Sequence, residues 1–197
     1  INGVTIAISH SQGSGKINKN SLKEITFNNK KSVIIPEGNE IYSDFLDFKF
    51  EPLSELSITI YYGERCYRPD TDRNEHKILI TGHPGSRTHS FFEKGDALHK
   101  VEFSHENKIA HWYTIAAIEI MTKKNKNVVV CFGDSITDGR GSTDDKQNRW
   151  TDHLATLGKD RFAVLNQGIG GTCVGIHGIN RFKDDVLDQK GISHIIM

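Results

Sequence analysis

The sequence predicts two regions of different fold class: an all-β sandwich or jelly roll over residues 1–125, and an α/β segment with a parallel sheet over residues 126–197. Three observations carry this. Short alternating apolar and polar runs fill the N-terminal half, each broken by turn residues, as in antiparallel strands. A charged, polar connector, Thr122-Lys123-Lys124-Asn125-Lys126-Asn127, then marks a change of pattern. Beyond it the order strand, helix, strand, helix, strand is that of a parallel sheet with right-handed crossovers.

The N-terminal strands are predicted at Val4–Ile8, Ile25–Phe27, Ser32–Ile35 and Leu56–Tyr62, with turn signals at Asn28-Asn29, Pro36–Asn39 and Pro52. The first strand of the sandwich is allowed to precede position 1. Residues 63–110 read as long loops on a β framework, with strand candidates at Lys77–Thr81 and Lys100–Phe103; His111–Met121 supplies a last strand.

After the connector, the β-branched run Val128–Phe132 predicts a buried parallel strand leading into a glycine-rich loop, Gly133–Thr143. Trp150, Leu154 and Leu157 recur at helical spacing and predict a helix that turns these side chains to the core. Phe162–Leu165 predicts a second strand, ending in Asn166-Gln167-Gly168-Ile169-Gly170-Gly171. A second helix over Ile179–Gln189 is stopped by Lys190-Gly191 in the manner of a glycine C-cap. Ile192–Met197 opens a third strand, which presents an apolar edge.

Composition narrows the function classes. The 197 residues carry 25 Lys+Arg and 25 Asp+Glu, so no global field draws the chain to nucleic acid or an anionic membrane. A neutral or locally recognised ligand is expected. No apolar run reaches the roughly 18 residues of a membrane span. Cys66, Cys131 and Cys173 are too few and too far apart for a disulfide scaffold or a zinc site. Gly13-Ser14-Gly15-Lys16 fails the phosphate-loop template, with His10 in place of the first glycine and Ile17 in place of the magnesium-binding hydroxyl. Asp70-Thr71-Asp72-Arg73-Asn74 opens like a calcium loop, but Glu75 stands where the loop needs glycine. His83, His89, His99, His105 and His111 lack the close helical pairing of a zinc site and read as surface or satisfied histidines, one of which could line a cleft.

The chemistry centres on Val128–Gly139. A buried strand that breaks into Gly133-Asp134-Ser135 delivers a small polar group to the edge of the sheet, where α/β enzymes keep their sites. Ser135 is a candidate nucleophile, and its own backbone N–H can donate to an oxyanion. The corner Gly168–Gly171 follows the next strand, so its unobstructed N–H groups are further candidate donors. The same residues equally suit tight turns into helices, with Ser135 as a cap, and such turns also cradle phosphates. Composition and spacing leave these readings level. Asp138, Arg140 and Asp144 read as shaping or solvating the loop, Cys131 as buried and inert, and Cys173 as lying near the cleft.

Gly133-Asp134-Ser135-Ile136-Thr137-Asp138-Gly139 resembles the first block of the SGNH hydrolases, also called GDSL esterases and lipases. Asn166–Gly171 resembles the second. The Gly-x-Ser-x-Gly elbow of other α/β-hydrolases does not fit, because Thr137 stands where it needs glycine. The resemblance extends through Arg149-Trp150 and Arg181–Leu187. It also reaches back to Ser32–Pro36, Ser43-Asp44 and Leu53–Tyr61, which look like the β-sandwich that precedes the catalytic domain in one bacterial branch.

The resemblance implies the start of a three-layer α/β/α, flavodoxin-like sheet and a carboxylic ester hydrolase working through an acyl-enzyme. In it Ser135 is the nucleophile and an oxyanion N–H donor, Gly171 a second donor, and Asp134 and Asn166 supporting residues. A short acyl group, acetyl, on a carbohydrate is the implied substrate, a small molecule or a polysaccharide. No metal or organic cofactor is implied, and secretion or a periplasmic location is favoured. The family's Gly-x-Asn block would follow the third strand, and no Asp-x-x-His follows the second block in this sequence. The segment is therefore expected to be the front part of a catalytic domain, inactive without its C-terminal remainder. The alternative expectation is a carbohydrate-binding or scaffolding module without catalysis.

Overall fold

The computed structural model describes residues 1–63, 80–122 and 126–197. Cys66, the calcium-loop look-alike at 70–75 and the start of the strand candidate at 77–81 lie outside the described residues. The chain divides into two compact units, Ile1–Gly82 with His89–Ala116, and His83–Thr88 with Ala117–Met197. Residues 83–88, which lie within the predicted β region, thus pack with the C-terminal unit.

The N-terminal unit is antiparallel. Strand β1 (Gly3–Ile8) lies between β2 (Lys23–Ile25) and β3 (Leu56–Tyr61). Val4, Thr5, Ile6 and Ala7 are all buried, so β1 is covered on both faces. The hydroxyl of Thr5 donates to the Leu98 carbonyl at 3.0 Å, which satisfies its polar atom. A short pair, β4 (Ser90–Phe91) and β5 (Lys108–Ile109), completes the ladders of this unit among the described residues.

Several expected strands are absent. Ser32–Ile35 forms no ladder: Val33 exchanges two bonds with Ile1, donating to its carbonyl and accepting from its amino group, while Ile34 is 89% exposed and Pro36 removes the next donor. Among the described residues, His111–Met121 pairs at Tyr113, which bridges Ile80. Thr114 then turns left-handed at φ 65°, and Ile118, Ile120 and Met121 stand in solvent. Their alternation finds no partner strand among the described residues to give it a buried face. Lys100–Phe103 reduces to one bridge, between Glu102 and Lys16.

The C-terminal unit holds a parallel sheet in the order β7-β6-β8, from β6 (Asn127–Gly133), β7 (Phe162–Gly168) and β8 (Ile192–Ile196). The central strand is buried on both sides, as its unbroken apolar run requires. Val130 and Phe132 pack with Val186, Leu165, Phe182 and Ile192, the rings of Phe132 and Phe182 meeting edge to face at 5.4 Å. Val129 and Cys131 alternate with them and are buried too.

Two helices differ from expectation. Helix α2 (Trp150–Gly158) forms, but Trp150 and Leu157 are exposed, and the buried positions are Thr151 and Gly158. A side chain at Gly158 would meet the Phe162 ring, so the helix seats on small residues that permit close approach. Hydrophobic spacing alone chose the wrong face. In place of a regular helix over 179–189, a four-residue helix α3 (Ile179–Phe182) is flanked by wider π-type turns at Val174–Gly178 and Lys183–Leu187. At the β8 edge Ile195, Ile196 and Met197 are exposed.

Candidate active site

Strand β6 ends at Gly133 with β7 on one flank and β8 on the other. The connection from β6 leads to β7, and that from β7 crosses back past β6 to β8, so the ends of β6 and β7 lie side by side at the edge where parallel sheets hold their ligands. Helix α1 (Ser135–Asp138) starts at this point. Asp134 caps it, its carboxylate accepting from the Ile136 N–H at 3.0 Å. Ser135 is half-buried and is the first residue of the turn. No hydrogen bond engages its hydroxyl among the described residues.

The second corner is tied to the first through Asn166. Its Nδ2 donates to the Thr137 carbonyl at 2.8 Å and to the Thr151 hydroxyl at 3.0 Å, and its Oδ1 accepts from the Gly168 N–H at 2.9 Å. Gly168 lies directly beneath α1: a Cβ there would come within 2.1 Å of the Asp138 nitrogen and 2.5 Å of the Thr137 carbonyl carbon. No other residue type fits that approach. A Cβ on Gly170 would sit 3.8 Å from the Ser135 Cβ and 3.3 Å from Asp138 Oδ2, so this corner faces the serine. Gly171 is left-handed at φ 77° with open space around its Cβ position.

Asp138 is 2% exposed, so of the expectation that it shapes or solvates the loop the solvating part is corrected: the residue is buried and bonds the second corner. Its Oδ2 accepts from the Gly170 N–H at 2.8 Å and lies 3.1 Å from Nδ1 of His83. Burial of a carboxylate demands such partners. The His83–Thr88 segment is held in turn by Arg149, which donates to the Ser86 carbonyl and to the Thr88 hydroxyl, and by the Arg87–Asp144 ion pair at 2.8 Å. Asp152 fixes Arg149 through its Nε at 2.7 Å and Nη2 at 3.0 Å.

Arg181 joins the two strand ends: Nη2 donates to the Gly133 carbonyl at 2.7 Å and Nη1 to the Gln167 carbonyl at 2.8 Å. Its guanidinium lies 4.1 Å from the centre of the Phe132 ring, and Asp185 pairs with it at 2.6 Å. The i,i+4 spacing of Arg181 and Asp185 is visible in sequence. The long-range carbonyls that Arg181 grips, and the pairing of His83 with Asp138, are not.

Desolvation pushes the Cys131 thiol up to about 11. Cys173 is exposed, its Sγ 3.8 Å from His177 Nδ1. Upstream, Asp96-Ala97-Leu98-His99 has the literal spacing of an Asp-x-x-His block, but it belongs to the N-terminal unit. There Asp96 accepts from the Leu98 N–H at 3.0 Å and His99 lies 3.7 Å from Glu24. Among the described residues no cluster of three or more His, Cys, Asp or Glu is placed to hold a metal ion, and no helix is long and apolar enough to cross a membrane.

Residues 129–197 match the family model of the GDSL-like lipases and acylhydrolases. This segment belongs to the SGNH/GDSL family. The match starts in β6 and takes in both glycine corners, so the ester-hydrolase chemistry of GDSL-like acylhydrolases attaches, at the level of the family, to the C-terminal unit. Comparison with curated proteins finds no match to this chain.

Proposed function

We propose that this protein is a carboxylic ester hydrolase in which Ser135 attacks the ester carbonyl and forms an acyl-enzyme. The observation that carries the reading is the approach of the two corners, with the Cβ position of Gly170 3.8 Å from the Ser135 Cβ. That spacing leaves room for an acyl carbon over the serine and its oxygen against backbone N–H groups. The Ser135 and Gly171 amides hold the oxyanion as the tetrahedral intermediate forms, the role with the largest electrostatic effect in acyl transfer. Asp134 caps the turn that carries Ser135, and Asn166 keeps the two corners in register. The proton of the Ser135 hydroxyl passes to a histidine base, which returns it to the departing alcohol; water then releases the acid by the reverse route. In this reading the base, its orienting acid and a third oxyanion donor come from the family's later blocks, and residues 129–197 alone are inactive.

The substrate proposed is a short acyl ester, acetyl, of a carbohydrate, with the antiparallel N-terminal unit serving as a β-sandwich companion domain. The resemblance of Ser32–Pro36 and Leu53–Tyr61 to that domain supports it. Acetate release from an acetylated polysaccharide by the natural full-length protein, measured against a long-chain ester, tests the substrate. Faster turnover of the acetyl ester is expected. Glycan binding with no acetate release would favour a carbohydrate-binding module instead.

A further inference from the structure

The buried carboxylate of Asp138 is not accounted for by the nucleophile or by the oxyanion donors. It ends α1 three residues beyond Ser135 and turns into the sheet, where it is 2% exposed. Two groups meet it. The Gly170 N–H donates to Oδ2 at 2.8 Å, and Nδ1 of His83 lies 3.1 Å from the same oxygen, an ion-pair distance without hydrogen-bond geometry. A charged acceptor makes a stronger bond to a backbone N–H than a neutral one. The peptide it holds, Ile169–Gly170, is the one before the peptide that carries the Gly171 N–H.

We propose that Asp138 is a positioning residue for the oxyanion corner, with His83 as the partner that keeps its carboxylate in place. The proposal rests on the reading of Ser135 and Gly171 as nucleophile and donor. Gly171 is left-handed, and no atom approaches its Cβ position within 4 Å, so its own surroundings do little to fix the peptide. In this proposal the bond between Gly170 and Asp138 anchors the chain one peptide before the Gly171 N–H, so that only the φ and ψ of Gly170 lie between the anchor and the donor. Gly168 anchors the other end of the corner by its contact with the Thr137 and Asp138 backbone. Helix α1 therefore carries the nucleophile on its first residue and the brace for the oxyanion donor on its last. Preorganised donors owe their effect to being fixed before charge develops, and a loosened donor loses much of it. His83 reaches the site from the His83–Thr88 segment, which Arg149 and the Arg87–Asp144 pair hold to this unit. Gly85 lets that segment pass: a Cβ there would fall 1.8 Å from Asp138 Oδ2.

The test is the rate of labelling by a fluorescent alkyl phosphonate on the natural full-length protein, resolved into maximal rate and half-saturating concentration. Asp138→Ala is expected to slow the maximal rate by about tenfold or more, toward the roughly 10²-fold that loss of one oxyanion donor brings, with half-saturation unchanged. Asp138→Asn, which keeps an oxygen for the Gly170 N–H, is expected to recover most of that rate. A purely structural role would lower thermal stability without this split. Hydrogen exchange of the Gly170 amide in the wild-type protein gives a reading that needs no variant to fold: slow exchange is expected, and exchange at the rate of a free amide overturns the proposal. Labelling that depends on Ser135 but keeps its rate in Asp138→Ala overturns the role of Asp138 alone. Labelling that is absent, or independent of Ser135, overturns the serine-hydrolase reading and this proposal with it.

Discussion

The Asn166 carboxamide donates to the Thr137 carbonyl at 2.8 Å, joining the end of strand β7 to the helical turn that carries Ser135. One side chain thereby fixes the spacing of the two glycine corners, because its Oδ1 accepts from the Gly168 N–H. Asn166→Ala removes both links and leaves the Thr137 carbonyl and the Gly168 N–H to find other partners. A loss of about 1–2 kcal/mol is expected, in the range for deleting a partner of partly buried polar groups. Urea unfolding measures it, and an unchanged midpoint contradicts the tie.

Cys131 offers a check on the packing of β6. Desolvation raises its thiol from 9.0 to about 11, so at pH 8 roughly one molecule in a thousand carries the thiolate. Iodoacetamide under native conditions is expected to modify Cys173, which is exposed, and to spare Cys131. The linkage has a definite sign. The folded state holds the thiol proton more tightly than the unfolded state, so the contribution is complete below pH 9 and is lost as pH rises towards 11. Peptide mapping after timed alkylation reads the first effect, and equal rates at the two cysteines contradict it.

Asp44 latches a turn in the N-terminal unit. The Thr26 hydroxyl at 2.6 Å, then the Asn29 and Asn28 amides at 2.7 and 2.8 Å, hold its carboxyl below the ordinary 3.8. A lowered carboxylate contributes stability above its unfolded value, and that contribution is lost as pH falls through the lowered folded value. The Asn28 and Asn29 amide resonances are therefore expected to hold steady to below pH 3.8 and then shift together. Asp44→Asn is expected to remove that acid transition. Independent titration of the two amides contradicts the latch.

Much of the C-terminal unit is legible in the sequence. Val128–Phe132 reads as a strand buried on both faces because nearly every residue in it is apolar. Gly133 and Gly168 mark the strand ends because the Thr137 side chain at the first and the α1 backbone at the second exclude a Cβ. Where packing is set by small residues, the reading fails. Trp150 and Leu157 have the spacing of a core face, yet Thr151 and Gly158 make the contact. In the N-terminal half, alternation in His111–Met121 predicts a strand that pairs, among the described residues, at Tyr113 alone, since alternation specifies a face and not a partner. The site shows the same divide. Ser135, Asn166 and Gly171 stand in local motifs, whereas His83 and Asp138 are joined across a sequence separation that carries no periodic signal. Burial of Asp138 becomes visible only when β7 is laid beside α1.

The central claim is that Ser135 is the nucleophile of an acyl-transfer reaction, and covalent mapping tests it most directly. The natural full-length protein is treated with the alkyl phosphonate and digested, and the modified peptide is sequenced by mass spectrometry. The account predicts one phosphonyl group on Ser135 and none in Ser135→Ala. Modification at another residue, or a wild-type protein left unmodified under conditions that label other serine esterases, would contradict it.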